Sequence, residues 1–317
     1  MKHLLSIEDL DRAQIEAVLD RADSFAEVTR RDIKKVPALR GRTVVTLFYE
    51  SSTRTSSSFE LAAKRLSADV VSVKASGSSV DKGESLRDTV ETLSAYDPAA
   101  IVIRHPQVGA ASMLADWVDA SIINAGDGMH QHPSQALLDV FTLRNRIGGL
   151  EGVKIWIVGD VLHSRVARSN IMAFTMMGAQ VTIAGPPTLI PRGIEATGCE
   201  VVHSLDRLEE ADVVYLLRMQ HERMNESFVP SLREYARLFQ INSRRLGPRQ
   251  LVMHPGPINR GIEISSDIVD SDRSLINAQV SSGLAVRMAI LYELLTSTEA
   301  GSGEVLPDGP VPIGEPA

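Results

Sequence analysis

Short apolar runs alternate with longer amphipathic stretches through nearly all of this 317-residue chain, and that alternation restricts the fold more than any other feature. The runs Thr43–Tyr49, Asp69–Val73, Ala100–Ile103, Ser121–Asn124, Lys154–Val158, Gln180–Ala184, Asp212–Leu217 and Leu251–Met253 predict strands. Helical spacing covers Ser6–Ala26, Thr55–Leu66, Glu84–Ala95, His132–Arg146, Arg165–Met177 and Leu284–Leu295, with Ser6 and Asp9 read as a capping box for the first. Strands that are apolar throughout must be covered on both faces, which means parallel sheets flanked by helices, an α/β fold. Eight strands could close one barrel. Against that, Gly148-Gly149 ends the long His132–Arg146 helix, and a fresh β signal starts after Glu151-Gly152. Two domains, each an open, mostly parallel sheet of about four strands with helices on both faces, fit better and suit the length.

Charge narrows the function. Lys plus Arg number 33 against 40 Asp plus Glu, a net charge of −7, where a nucleic-acid binder carries the opposite balance. Any anion site must be built locally from a few placed cations. The one cysteine, Cys199, allows neither an internal disulfide nor a Cys-rich zinc module. Met1–Asp11 holds Glu8, Asp9 and Asp11 and no apolar core, unlike a signal peptide. The longest uncharged stretch, Ser169–Pro191, contains Asn170, Gln180 and Pro186-Pro187 and reads as soluble core, not a membrane span. A cytoplasmic protein without membrane or nucleic-acid partners is expected.

In open parallel sheets, ligands bind beyond the carboxyl ends of the strands. Ser52-Thr53-Arg54-Thr55 leads from the first strand into a helix, where hydroxyls and free N–H groups can cradle a phosphate and Arg54 can fork two of its oxygens. The same hydroxyls could simply cap the helix, and the glycines of a Walker loop are missing. Arg104 follows the third strand, and His132-Pro133-Ser134-Gln135 opens the long helix. A neutral imidazole at a helix start can donate to a substrate oxygen. His130 and His132 invite a metal, but no further ligand set stands beside them, so none is expected. Arg165 and Arg218 read as carboxylate clamps or as ordinary surface cations, and Lys82 as an arm on the Ser76–Gly83 loop. Val158-Gly159-Asp160 lacks the glycine fingerprint of a dinucleotide site, and no cofactor is expected.

Phe48-Tyr49-Glu50-Ser51-Ser52-Thr53-Arg54-Thr55 resembles the F-x-E-x-S-T-R-T signature of the carbamoyltransferase family, and His132–Gln135 its H-P-x-Q motif. Lys82-Gly83-Glu84-Ser85, Arg218-x-Gln220-x-Glu222-Arg223 and His254-Pro255-Gly256-Pro257 are similar to loops of the branch that uses aspartate. The ornithine branch carries a cysteine-containing loop in place of the last. The resemblance spans roughly residues 1–296.

It implies transfer of the carbamoyl group of carbamoyl phosphate to the amino group of L-aspartate, a step of pyrimidine synthesis. Ser52, Thr53, Arg54 and Thr55 would hold the phosphate. Arg104, His132 and Thr55 would polarise the carbamoyl oxygen. Gln135 and the carbonyls near Gly256 and Pro257 would accept from its amide. Lys82, Arg165, Arg218 and Gln220 would bind aspartate, Lys82 reaching into a neighbouring subunit of a homotrimer with composite sites. A regulatory chain is left open. The implied division is residues 1–133 plus 284–300 for carbamoyl phosphate and 134–283 for aspartate. Gly301–Ala317, with four Pro and four Gly, reads as a disordered tail. The rival readings are a carbamoyltransferase for another amino acid, such as ornithine, and a non-catalytic phosphate-binding protein.

Overall fold

A computed structural model describes residues 1–74, 83–220 and 228–296. Lys82, Glu222, Arg223 and the 301–317 tail lie outside the described residues. Two all-parallel sheets organise the chain. The first has the order β2-β1-β3-β4, formed by β1 (Thr43–Phe48), β2 (Asp69–Lys74), β3 (Ala100–His105) and β4 (Ser121–Asp127). The second has the order β7-β6-β5-β8-β9, from β5 (Lys154–Val158), β6 (Gln180–Ala184), β7 (Glu200–Val202), β8 (Val213–Leu216) and β9 (Leu251–Met253). In each sheet the chain starts in the interior, builds outward to one side, then returns to the other. The reversals fall between β1 and β3 and between β5 and β8. At such a reversal adjacent loops leave in opposite directions and open a crevice.

Nine α-helices cover the sheets among the described residues: α1 (Arg12–Arg30), α2 (Thr53–Arg65), α3 (Leu86–Ser94), α4 (Ala110–Trp117), α5 (Pro133–Ile147), α6 (Arg165–Met176), α7 (Leu232–Phe239), α8 (Ser266–Val269) and α9 (Ile276–Thr296). One apolar core runs from Leu4 and α1 through α5 and α6 to α9 and joins the inner faces of both sheets. Separate clusters cover the outer faces, around Val45, Leu93 and Ile103 on the first sheet and Trp156, Leu216 and Phe239 on the second. Helix α5 is buried at every position from Pro133 to Leu143, which is why no polar stripe marks it in the sequence. Helix α9 packs against α1, α2 and α5 and also reaches β9.

Some sequence expectations move. Ser6 and Asp9 do not start α1: Asp9 Oδ2 accepts from Ser6 N, and Ser6 Oγ from Glu8 N, closing a turn ahead of it. The helix begins at Arg12, six residues after the start expected at Ser6, with Asp11 and Gln14 forming a reciprocal capping box. Helix α9 begins eight residues before Leu284, since Gln279 and Gly283 are buried on a face that reads as polar in sequence. Strand β7 has only three residues on a sheet edge. Helix α4 starts from Gly109 without a side-chain cap, so neither announces itself. No described helix is long and apolar enough to cross a membrane.

Candidate active site

The two reversal points face each other across a cleft of about 1550 Å³. From the first sheet come Glu50–Thr55 after β1, Arg104 at the end of β3 and His132 and Gln135 at the start of α5. From the second come Arg165 at the start of α6, Arg218 and Gln220 after β8 and the His254–Pro257 loop after β9. All the predicted site residues within the described part of the chain thus line one cleft; Lys82 is not among the described residues.

Ser52 is the N-cap of α2, its Oγ accepting from Thr55 N at 3.4 Å. That is a long bond, so the hydroxyl caps the helix weakly. The free N–H groups of the first turn and the exposed Arg54 lie at the cleft wall. Arg54 crosses to the other wall: a Cβ added at Gly256 would lie 2.6 Å from its guanidinium carbon. Gly256 also has a φ of +63°, so both its backbone and its missing side chain admit the arginine.

His254 shapes that loop. Its Nδ1 accepts from Gly256 N at 2.8 Å, which leaves Nε2 to donate to Glu263 at 3.2 Å. Burial lowers its pKa, and the ring is neutral with its tautomer fixed from both sides. His254 N donates to Gln279 Oε1 at 3.0 Å, linking the loop to α9.

His132, 3% exposed, is placed by α6: its backbone N donates to Ser169 Oγ at 2.8 Å, and that hydroxyl donates to Gln131 Oε1 at 2.6 Å. His130 turns away toward Asp127, 3.1 Å from its Oδ2. Among the described residues, no three His, Cys, Asp or Glu side chains converge as metal ligands would.

Glu50 is the residue that sequence reading left without a role. Its Oε2 pairs with Arg165 of the opposite sheet and lies 3.3 Å from Arg104 Nε. The only sequence signal is an acid among cations after β1. Arg165 is 3% exposed, and its Nη1 makes no hydrogen bond. Gly126 leaves room for it, since an added Cβ would lie 3.0 Å from the guanidinium carbon. On the far wall, Arg218 Nη2 donates to Gln220 Oε1 at 3.0 Å, and burial lowers the arginine's pKa. Asp160 joins the two loops at the second reversal, Oδ2 accepting from Gln220 N at 3.2 Å and Oδ1 from His163 N at 3.2 Å. Arg287 of α9, also missed in sequence, adds a buried cation. Its Nη1 donates to Ser58 Oγ at 2.8 Å, and burial lowers its pKa to about 10. Electrostatically the cleft is cationic, with Glu50 as the acid between its walls. It can take a small, multiply charged anion on one side and a carboxylate on the other.

The profile described as "Aspartate/ornithine carbamoyltransferase, carbamoyl-P binding domain" matches residues 2–145, and that of the "Asp/Orn binding domain" matches 151–294. A protein named aspartate carbamoyltransferase catalytic subunit from Pelotomaculum thermopropionicum is 58% identical over 92% of this chain and 96% of its own length. One of the same name from Salinispora tropica is 56% identical, over 93% and 98%. Among solved structures, aspartate transcarbamoylase from Trypanosoma cruzi in complex with carbamoyl phosphate and aspartate superposes with a TM-score of 0.83 at 32% identity, over 93% of this chain and 97% of that one. The catalytic subunit from M. jannaschii gives 0.82 at 37% identity, over 96% and 100%.

Proposed function

The chain belongs to the aspartate/ornithine carbamoyltransferase family, and from that premise we propose that it transfers the carbamoyl group of carbamoyl phosphate to L-aspartate, giving N-carbamoyl-L-aspartate and phosphate. The observation that carries this reading is the meeting of two cation-bearing reversal points in one cleft. One substrate is a phosphate and the other a dicarboxylate, and each wall suits one of them.

Ser52, Thr53, Arg54 and Thr55 hold the phosphate at the N-terminus of α2, where backbone N–H groups and the helix dipole favour negative charge. Arg54 stabilises the charge that grows on the phosphate as it leaves. Arg104, His132 and the Thr55 hydroxyl donate to the carbamoyl oxygen, each worth roughly 3 kcal/mol as negative charge develops there. Gln135 and the carbonyls of Gly256 and Pro257 accept from the carbamoyl NH2. Arg165, Arg218 and Gln220 grip the two aspartate carboxylates, with Lys82 supplied by a neighbouring subunit. The Arg218–Gln220 bond turns the glutamine carbonyl to the guanidinium, so its NH2 remains to donate to a carboxylate. The deprotonated amino group of aspartate attacks the carbamoyl carbon, a C–N bond forms, the C–O bond to phosphate breaks, and the departing phosphate takes the proton that the nitrogen loses. Holding both reactants in one cleft converts a bimolecular attack into an oriented one.

The working unit is a homotrimer with composite sites, in the cytoplasm, at a step of pyrimidine synthesis. To test the reading, the purified chain is incubated with carbamoyl phosphate and, separately, L-aspartate, L-ornithine or no acceptor, with and without EDTA, and ureido product is measured. Aspartate-dependent product that survives EDTA supports it. Ornithine-dependent product overturns the acceptor, and binding without turnover overturns the enzyme. For the composite site, mixing inactive Lys82→Ala and Arg54→Ala chains should restore some activity; reassembled mixtures with none would point to self-contained sites.

A further inference from the structure

Asp139 sits in the middle of α5 between Leu138 and Val140, with no exposed surface. Four donors from four elements converge on it. Oδ2 accepts from the Tyr215 hydroxyl of β8 at 2.6 Å and Asn170 Nδ2 of α6 at 2.9 Å. Oδ1 accepts from Gln279 Nε2 of α9 at 2.7 Å and Gln135 Nε2 of α5 itself at 3.0 Å. Burial pushes the pKa of Asp139 up to about 6, with the four donors opposing, so at neutral pH it is a carboxylate.

An ionised carboxylate only accepts hydrogen bonds, so both glutamines must turn their NH2 groups toward it and their carbonyl oxygens away. For Gln279 the far end is already used: its Oε1 accepts from His254 N at 3.0 Å. Gln135 stands on the first turn of α5 at the cleft wall. Its carbonyl oxygen, fixed by the same constraint, is the end left for the cleft.

We propose that Asp139 is a positioning residue that makes the site select a carbamoyl over an acyl group, by holding Gln135 Oε1 as the acceptor for the carbamoyl NH2. The inference rests on carbamoyl phosphate being the donor substrate. Asp139 touches no substrate; it acts through the orientation of one amide. Acetyl phosphate carries CH3 where carbamoyl phosphate carries NH2 and leaves the oriented oxygen unpaired, which a site built to bond an N–H rejects strongly. Through Gln279 the same carboxylate also steadies the His254–Pro257 loop, whose carbonyls face the same NH2.

The test uses the full-length chain and two ligands that differ only at that group. The KM for carbamoyl phosphate and the inhibition constant of acetyl phosphate are measured in wild type and in Asp139→Asn. The expected variant loses at least about tenfold in preference for the carbamoyl compound, with acetyl phosphate binding and the KM for aspartate each changed by less than about threefold. A folded variant in which both phosphates weaken together has lost only structure, and that result overturns the proposal.

If Asp139→Asn does not fold, by circular dichroism and thermal melting, the wild type supplies the readout. Protonating Asp139 removes the acceptor-only constraint, so the preference should fall as the pH is taken from about 8 to about 5, through about 6. The titratable groups facing Asp139 are Tyr215 on β8, raised well above its usual value by burial, and Arg287 on α9, near 10; neither titrates in that range. Its α5, α6 and α9 hydrogen-bond partners are neutral amides, and His132 meets the carbonyl common to both ligands, so it cancels in the ratio. A flat ratio overturns the proposal. Wild type with no aspartate-dependent product sinks the functional reading itself, whereas an unchanged ratio in active enzyme sinks only this inference.

Discussion

The two walls of the cleft are built by different means. On the first-sheet wall the groups proposed to bind the anion are mostly backbone N–H groups and short side chains within one turn of α2 and α5, joined by Arg54 and Arg104, with His132 and Gln135 held by buried partners. On the second-sheet wall they are long arginines and a glutamine. These side chains already hold internal partners, Glu50 for Arg165 and Gln220 for Arg218. A phosphate docking at a helix N-terminus displaces water. A carboxylate arriving opposite must share or replace protein contacts. The lesson is that one wall is preorganised and the other is adaptable, with Glu50 tying them together.

The sharpest way to break this contrast is Arg54→Ala, because Arg54 is a long cation of the first wall that touches the second at Gly256. Turnover should fall at least about 10³-fold with an unchanged circular dichroism spectrum. Retained turnover would remove its phosphate role. Arg218→Ala tests the adaptable wall alone. The KM for aspartate should rise by about 10²-fold while that for carbamoyl phosphate moves less than about threefold, the loss of a charged hydrogen-bond donor. Equal changes in both constants would mean the walls do not divide the substrates. Gly256→Ala inserts a methyl where Arg54 lies and forces a positive φ on a side-chain-bearing residue. About a tenfold loss in kcat/KM for carbamoyl phosphate is expected, since one flexible guanidinium can shift to accommodate it. A silent Gly256→Ala would show that the crossing contact is incidental.

The smallest effect belongs to Ser52→Ala. Its capping bond is long, so stability should fall by less than about 1 kcal/mol, a drop of less than about 2 °C in Tm. A rise in the KM for carbamoyl phosphate without a larger Tm shift would assign the hydroxyl to phosphate; the reverse pattern would make it only a cap.

The first wall was the more legible in sequence for a physical reason. Backbone at a helix start is announced locally by Ser52-Thr53-Arg54-Thr55 and His132-Pro133-Ser134-Gln135, and the strands announce themselves as β-branched runs. The second wall's arginines could be named, but not their partners: Arg165 and Glu50 are 115 residues apart, and no local pattern couples them. Asp139 was illegible for a related reason. A lone acid inside Ala136–Phe141 reads as the polar edge of an amphipathic helix until α6, β8 and α9 surround it. Arg287 passed unnoticed in the same way.

The last helix has a consequence for how the chain comes to be folded. Helix α9 packs on α1 and α2, and Arg21 of α1 meets Glu293 across 272 residues of sequence. During synthesis α1, α2 and the first sheet emerge early, yet the layer that covers their inner face is made last, after the whole second sheet. Until then α1 and α2 expose the side chains α9 will cover, and closing so long a loop carries an entropic cost that the second sheet lowers by folding first and bringing the loop ends together. The nascent chain should therefore depend on chaperones most in the interval between the completion of β4 and the arrival of Thr296.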